Sequence, residues 1–357
     1  MEKQNVSLFR RKNRWGLTIL SVVLCFILAP ILGLAVFMPR MMTMLPVALL
    51  ALLGYVGPAS VLLCMGVIAG LSTTFFGAWG TISSIIFLVP VVIVSAMLVD
   101  RRRPFWYAVA SGCVTMFVSM GAVMGLMALL AGSDVVSAIS QMVRQALDAS
   151  GPVGDSVLSA MMQMGVITAP DGSAITMAGM TDAARGQLVE SIILMMDSVL
   201  RLEIPMQMAT GSVAAGILGQ AVLRKGVRSR GDKIDYIPLR KWAVPTGWGR
   251  VLGVTLVVLF LLTQFVPGMV ASMYYVFSGV FEQVFALQGI AAICYWLNKR
   301  GSGMLAQGVV FVLGYLVLGP VAIIFGIADQ TFDFSHRRAA MEEERRNRFD
   351  PRADQHS

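Results

Sequence analysis

Apolar residues run in long blocks along this chain, and polar residues fall between the blocks rather than alternating within them. The blocks cover residues 17–37, 44–56, 61–76, 81–99, 105–131, 204–223, 251–266, 273–297 and 304–327. A helix rising 1.5 Å per residue needs about 20 residues to cross a hydrocarbon core of roughly 30 Å, and most blocks approach that length. The pattern predicts an all-α, polytopic transmembrane helix bundle of about eight to nine spans. Gly57-Pro58 and Gly77-Ala78-Trp79-Gly80 separate the second, third and fourth blocks as turns. The 44–56 block is short, so it is expected to tilt, kink or insert only in part.

Residues 133–190 break the pattern. Val135, Val136, Ile139, Met142, Val143 and Leu147 recur at helical spacing behind Ser133 and Asp134 as caps. Val157, Leu158, Met161, Met162 and Met164 predict a second helix after Gly151-Pro152. Pro170-Asp171-Gly172 reads as a turn, and Thr181-Asp182 as the cap of a helix running into the next block. Two amphipathic helices at the outer membrane interface fit this spacing, as a lid over an entrance or as a passive hairpin.

Charge orients the blocks. Lys and Arg collect in the head at 1–15, at Arg101-Arg102-Arg103 and in the loop 224–250, whose net charge is +6; residues 133–190 carry −4. By the positive-inside rule the head and the two basic turns are cytoplasmic, and 133–190 is outside. Five of six tryptophans, Trp15, Trp106, Trp242, Trp248 and Trp296, lie near the cytoplasmic ends, as an interfacial belt requires. The chain thus divides into a basic head (1–15), an N-terminal bundle (16–132), the outer segment (133–190), a C-terminal bundle (191–327) and a polar tail (328–357). Nine crossings from a cytoplasmic N-terminus put the tail outside, whereas its six arginines favour the inside. Either one block does not cross or the tail is exported.

Composition agrees with the blocks. Hydrophobic residues make up 57% and charged residues 13%, and the mean hydropathy is +0.75, values foreign to a soluble domain. The net charge of +8 lies beside apolar spans, which points to anionic membrane lipids rather than nucleic acid. Localisation to the cell inner membrane follows as the expectation. The first block is longer than a signal-peptide core and more spans follow it, so it is read as a span. Cys25, Cys64, Cys113 and Cys294 sit unpaired inside apolar blocks as packing residues.

Candidate chemistry is sparse. Both histidines, His336 and His356, are in the tail, and no GxxxxGK[ST] loop is present, so neither enzyme activity, cofactor nor metal is expected. A charge at mid-bilayer costs roughly 2.5–3.5 kcal/mol, so charges within apolar runs mark pathways or internal pairs. Residues 190–223 form such a run, 34 residues long with Pro205 inside it. Asp197 and Arg201 are four apart and pair on one helix face. With Glu203, and Gln207 one turn on, they form a candidate ligand-binding mouth for a small solute; the plainer reading is mutual neutralisation at the interface. Glu282 and Gln288, inside the 273–297 block, are a second candidate.

Ser21, Cys25, Ala29 and Gly33 recur every four residues along the first block and make one small-residue face. Such faces allow close helix contact, either within the bundle or with a separate partner subunit.

Three stretches carry a resemblance. They are Val89-Pro90 through Asp100-Arg101-Arg102-Arg103-Pro104-Phe105-Trp106, the Leu287-Gln288-Gly289 step, and the ending Gly326-Ile327-Ala328-Asp329-Gln330-Thr331-Phe332-Asp333-Phe334. With the order of blocks they resemble the YybS-like membrane proteins, although Ser335-His336 stand before Arg337 where that pattern has Arg directly. That family is similar at fold level to the substrate-capture components of energy-coupling-factor vitamin transporters. The resemblance implies small-molecule uptake with a separate membrane transport module. Its members are often encoded beside a membrane-bound cyclic-dinucleotide phosphodiesterase, which implies the rival role of a non-transporting scaffold or regulator.

Overall fold

The computed structural model describes residues 8, 16–23, 44–149, 151–163, 182–266, 268–316 and 319–332. Among them the regular elements are helices and no strand occurs. Helix α1 is Met44–Tyr55, α2 Pro58–Asp100, α3 Phe105–Ala131, α4 Val135–Ala149, α5 Pro152–Gln163 and α6 Asp182–Ser229. A 3₁₀ turn at Leu239–Lys241 precedes α7 Thr246–Thr263, α8 Met269–Lys299, α9 Met304–Leu316 and α10 Gly319–Phe332. The chain forms two compact units, Met1–Met120 with Met206–Ser357, and Gly121–Pro205.

In the first unit the predicted turns fall at glycine. Gly57 has φ 139° and Pro58 opens α2. Within α2, Gly77 takes φ 65° and ψ −162°, a conformation closed to most side chains. The helix doubles back there: Ser72 and Ser84 share a hydroxyl hydrogen bond of 2.9 Å, and Thr81 Oγ1 donates to Ala69 O at 3.2 Å. Twelve residues along a straight helix would lie about 18 Å apart. The third and fourth apolar blocks are therefore two arms of one hairpin.

Small residues set the packing. A side chain on Gly54 would meet the Leu223 backbone at 2.5 Å, and one on Gly226 the Gly54 backbone at 2.6 Å, so α1 and α6 cross backbone to backbone. A side chain on Gly289 would run into Ala322 O and one on Gly326 into Phe285 O, which seats α10 directly on α8. Phe105, Ile217, Trp242, Leu287 and Ala291 form a buried cluster joining α3, α6, α8 and the segment before α7. The second half of α6 is central here, with Met208, Thr210, Ser212, Ala215, Ile217 and Gln220 buried.

By length and apolarity, the stretches able to cross a membrane are Gly77–Asp100, Phe105–Leu130 and Met269–Lys299 among the described residues. A fourth is added if Leu305–Tyr315 and Gly319–Phe332 make one broken span. Leu45–Tyr55, Pro58–Thr74 and Gly247–Thr263 are apolar but shorter. By this measure the helices give three to four crossings, fewer than the apolar blocks. Residues 204–223 are not among them; they contain Gln207, Thr210, Ser212 and Gln220, and protein covers much of their surface. By contrast, α7 exposes Val251, Val254, Val257 and Phe260, and α3 exposes Val114 and Val118, as lipid-facing helices do.

The second unit has its own core. Leu158 of α5 packs with Leu188, Val189, Ile192 and Ile193 of α6, and Val143 and Leu147 of α4 close over them. Two helices, α4 and α5, lie between 133 and 190 among the described residues, with apolar side chains packed onto the first half of α6. Arg144–Glu190 and Arg185–Asp155 ion pairs, the latter 2.9 Å, tie α4 and α5 to α6.

Candidate functional site

Polar side chains collect in both units. In the first unit the collection is buried. Gln288 and Asp329 are each 2% exposed. Gln288 Nε2 donates to Asp329 Oδ2 at 3.1 Å and to Gln330 Oε1 at 2.9 Å, and the Val244 amide donates to Gln288 Oε1 at 3.4 Å. Since an unpaired buried polar group costs about 1–3 kcal/mol, these three bonds of Gln288 tie α8, α10 and the chain before α7 together.

Arg224 is the second buried anchor of this unit. It is fully buried at the end of α6, with Nη1 donating to Asp235 O at 2.8 Å and Nη2 to Arg103 O at 2.7 Å. Its guanidinium lies over the Phe105 ring at 5.8 Å, and the Phe105 amide donates to Asp235 Oδ2 at 2.9 Å. A rigid fork and a delocalised charge suit this double carbonyl grip. The three stretches that carried the family resemblance thus meet in one unit. Phe105 and Leu287 share a core cluster, and Gln288 bonds Asp329 and Gln330.

In the second unit the polar cluster faces out. Arg201 and Asp197, four apart on α6, pair at 2.7 Å through Nε, with Nη2 at 3.3 Å from the other carboxylate oxygen. The same Nη2 reaches Asp134 Oδ2 at 3.3 Å and Ser137 Oγ at 3.4 Å. Asp134 also caps α4, accepting from the Ser137 amide at 2.9 Å and its hydroxyl at 2.7 Å. These bonds, the Ser137 amide foremost and Arg201 adding its charge, hold the Asp134 carboxyl down at about 2. The side chains of Arg201 and Asp134 are 50% and 51% exposed, so solvent or a solute reaches them. No hydrogen bond engages Arg201 Nη1 among the described residues, which leaves a forked donor beside two carboxylates.

The sequence-derived candidates therefore separate. Asp197 and Arg201 come together, and Asp134 joins them from 63 residues upstream, where spacing had marked it only as a cap. Glu203 is half-buried in the same unit, and Gln207, also half-buried, belongs to the other. Glu282 is exposed on α8, while Gln288 six residues on is in the buried cluster. Asp329, Asp235 and the burial of Arg224 were missed, because their partners lie 11 to 130 residues away in sequence. On the small-residue face, Ser21 donates to Leu17 O at 2.7 Å; Cys25, Ala29 and Gly33 lie outside the described residues. One turn before Ser21, buried Thr18 bonds Ser60 of α2 at 2.8 Å.

Helices with apolar, outward-facing flanks and polar groups locked inside define an integral membrane protein of the all-α class. Residues 16–330 match the family described as predicted membrane protein (DUF2232), and the chain belongs to that family. No curated protein and no solved structure matches the chain.

Proposed function

We propose that this protein captures a small polar solute at the exposed Arg201 cluster of its second unit, as the substrate-capture component of a transport system. The observation that carries this reading is the half-exposed guanidinium held between Asp197 and Asp134, with Nη1 in no hydrogen bond among the described residues. Such a fork offers donors and acceptors side by side, matched to a solute bearing an acceptor next to a donor. Glu203 of the same unit adds a further carboxylate to the candidate set, and Gln207 of the first unit remains a separate candidate. The resemblance to YybS-like proteins, and through them to energy-coupling-factor capture components, agrees with this role. In it a separate transport module docks on the face of Ser21, Cys25, Ala29 and Gly33, and Glu282 and Gln288 are the alternative solute site.

The same reading takes the two helices of 17 residues, Pro58–Thr74 and Gly247–Thr263, as crossings at the lower length limit. Together with the three long helices, residues 17–37, residues 204–223 and the broken α9–α10 pair, these give eight, and α1 makes a ninth. The N-terminus is then cytoplasmic in the inner membrane, the 133–190 helices face outward, and the basic ends meet anionic lipid headgroups.

Native mass spectrometry of the purified protein tests the site. A small bound mass is expected on the wild type and not on Arg201→Gln, with thermal midpoints that differ less than occupancy does. If Arg201→Gln unfolds more readily while occupancy per folded molecule stays the same, the cluster only ties α4 to α6. That outcome favours a second reading, a non-transporting scaffold or regulator of envelope proteins. The close-packed backbone crossings of the first unit are the observation on its side.

A further inference from the structure

Where α1, α2, α3 and α6 meet in the first unit, a cavity of about 10 Å³ is lined by Leu50, Val91, Ser95, Gly112, Met116 and Gln220, among others. Its polar wall is built by two residues. Gln220 and Ser95 are each 1% exposed, and Gln220 Nε2 donates to Ser95 Oγ at 2.9 Å. The other end of that amide, Oε1, is buried and meets no hydrogen-bond donor among the described residues. A fully buried acceptor without a donor costs about 1–3 kcal/mol, and a cavity of this size has room for one water. Dry cavities of proteins are apolar, whereas this one is lined by the polar residues Gln220 and Ser95. A cation is a poor fit, since two neutral oxygens cannot replace its hydration shell.

We propose that this cavity is a binding site for one structural water, which donates to Gln220 Oε1 and to Ser95 Oγ and so joins α6 to α2. Gly112 lines the same cavity beside Gln220. A side chain there would meet Gln220 Nε2 and Gly216 Cα at 3.7 Å, ordinary contact distance, so a small residue fits. The site stands apart from the solute cluster of the second unit and does not depend on it.

Gly112→Ala and Gly112→Ser discriminate wet from dry. Alanine displaces the water and leaves Oε1 without a donor, while the serine hydroxyl replaces the water. A wet site predicts a thermal midpoint for Gly112→Ser about 2 °C or more above that of Gly112→Ala. In a Gln220→Met background the serine should lose that advantage. A dry site predicts the reverse order, because alanine fills the void and is the better helix former. Midpoints in that reverse order overturn the proposal. Should the variants not fold, a map of the wild type that shows ordered waters elsewhere decides: a peak within hydrogen-bond distance of Gln220 Oε1 supports the site, and a blank cavity overturns it.

Discussion

Arg224 shows how far a side chain's role depends on what folds over it. In the sequence it is one of eight cations in the basic stretch 224–250; in the fold it is fully buried and holds two carbonyls from distant turns. Arg224→Gln should therefore destabilise the first unit by about 3 kcal/mol, read as a lower thermal midpoint in detergent. Arg224→Lys should recover little, since a single ammonium lacks the fork that spans Arg103 O and Asp235 O. At Asp134 the effect is pH-dependent. Its folded pKa is depressed, so its contribution is complete above the ordinary carboxylate value and is lost as pH falls toward about 2. The gap in midpoint between wild type and Asp134→Ala should be constant above about pH 5 and shrink below about pH 4. A gap that widens in acid would remove the Asp134–Ser137–Arg201 arrangement from the description.

The hairpin in α2 and the α8–α10 crossing are the elements most open to test. Ser72→Cys with Ser84→Cys should form a disulfide readily, because the two hydroxyls are 2.9 Å apart; a continuous straight helix would leave them unlinked. Gly326→Ala puts a methyl against Phe285 O and should cost about 2 kcal/mol by overpacking. The hairpin was legible in the sequence because glycines at 77 and 80 interrupt an apolar run too long for one span. The α4 and α5 helices were legible from their periodicity. The surface that their apolar faces cover was not, since a helix repeat records which side is apolar and not what it meets. The Gln288–Asp329 contact was equally hidden, being 41 residues apart in sequence and fixed only by glycines that let α8 and α10 touch. At the candidate site, the i,i+4 spacing gave Asp197 and Arg201, while Asp134 needed the fold of α4 back onto α6.

At the scale of the molecule, charge divides the two units. The first gathers Arg101, Arg102, Arg103, Lys225, Arg228 and Lys299 at the ends of α2, α6 and α8, and the second carries the excess of acids. Solute capture from outside requires the second unit to be exposed to the exterior while that basic end faces the cytoplasm. Ala160 of α5 and Ser229 at the end of α6 are both exposed and report on the two units. With Cys25, Cys64, Cys113 and Cys294 replaced, Ala160→Cys and Ser229→Cys can be treated separately with a membrane-impermeant maleimide on intact cells. Position 160 should label in intact cells, and position 229 only after the membrane is opened; labelling of both from the same side, or of 229 alone in intact cells, would contradict an outward-facing capture unit.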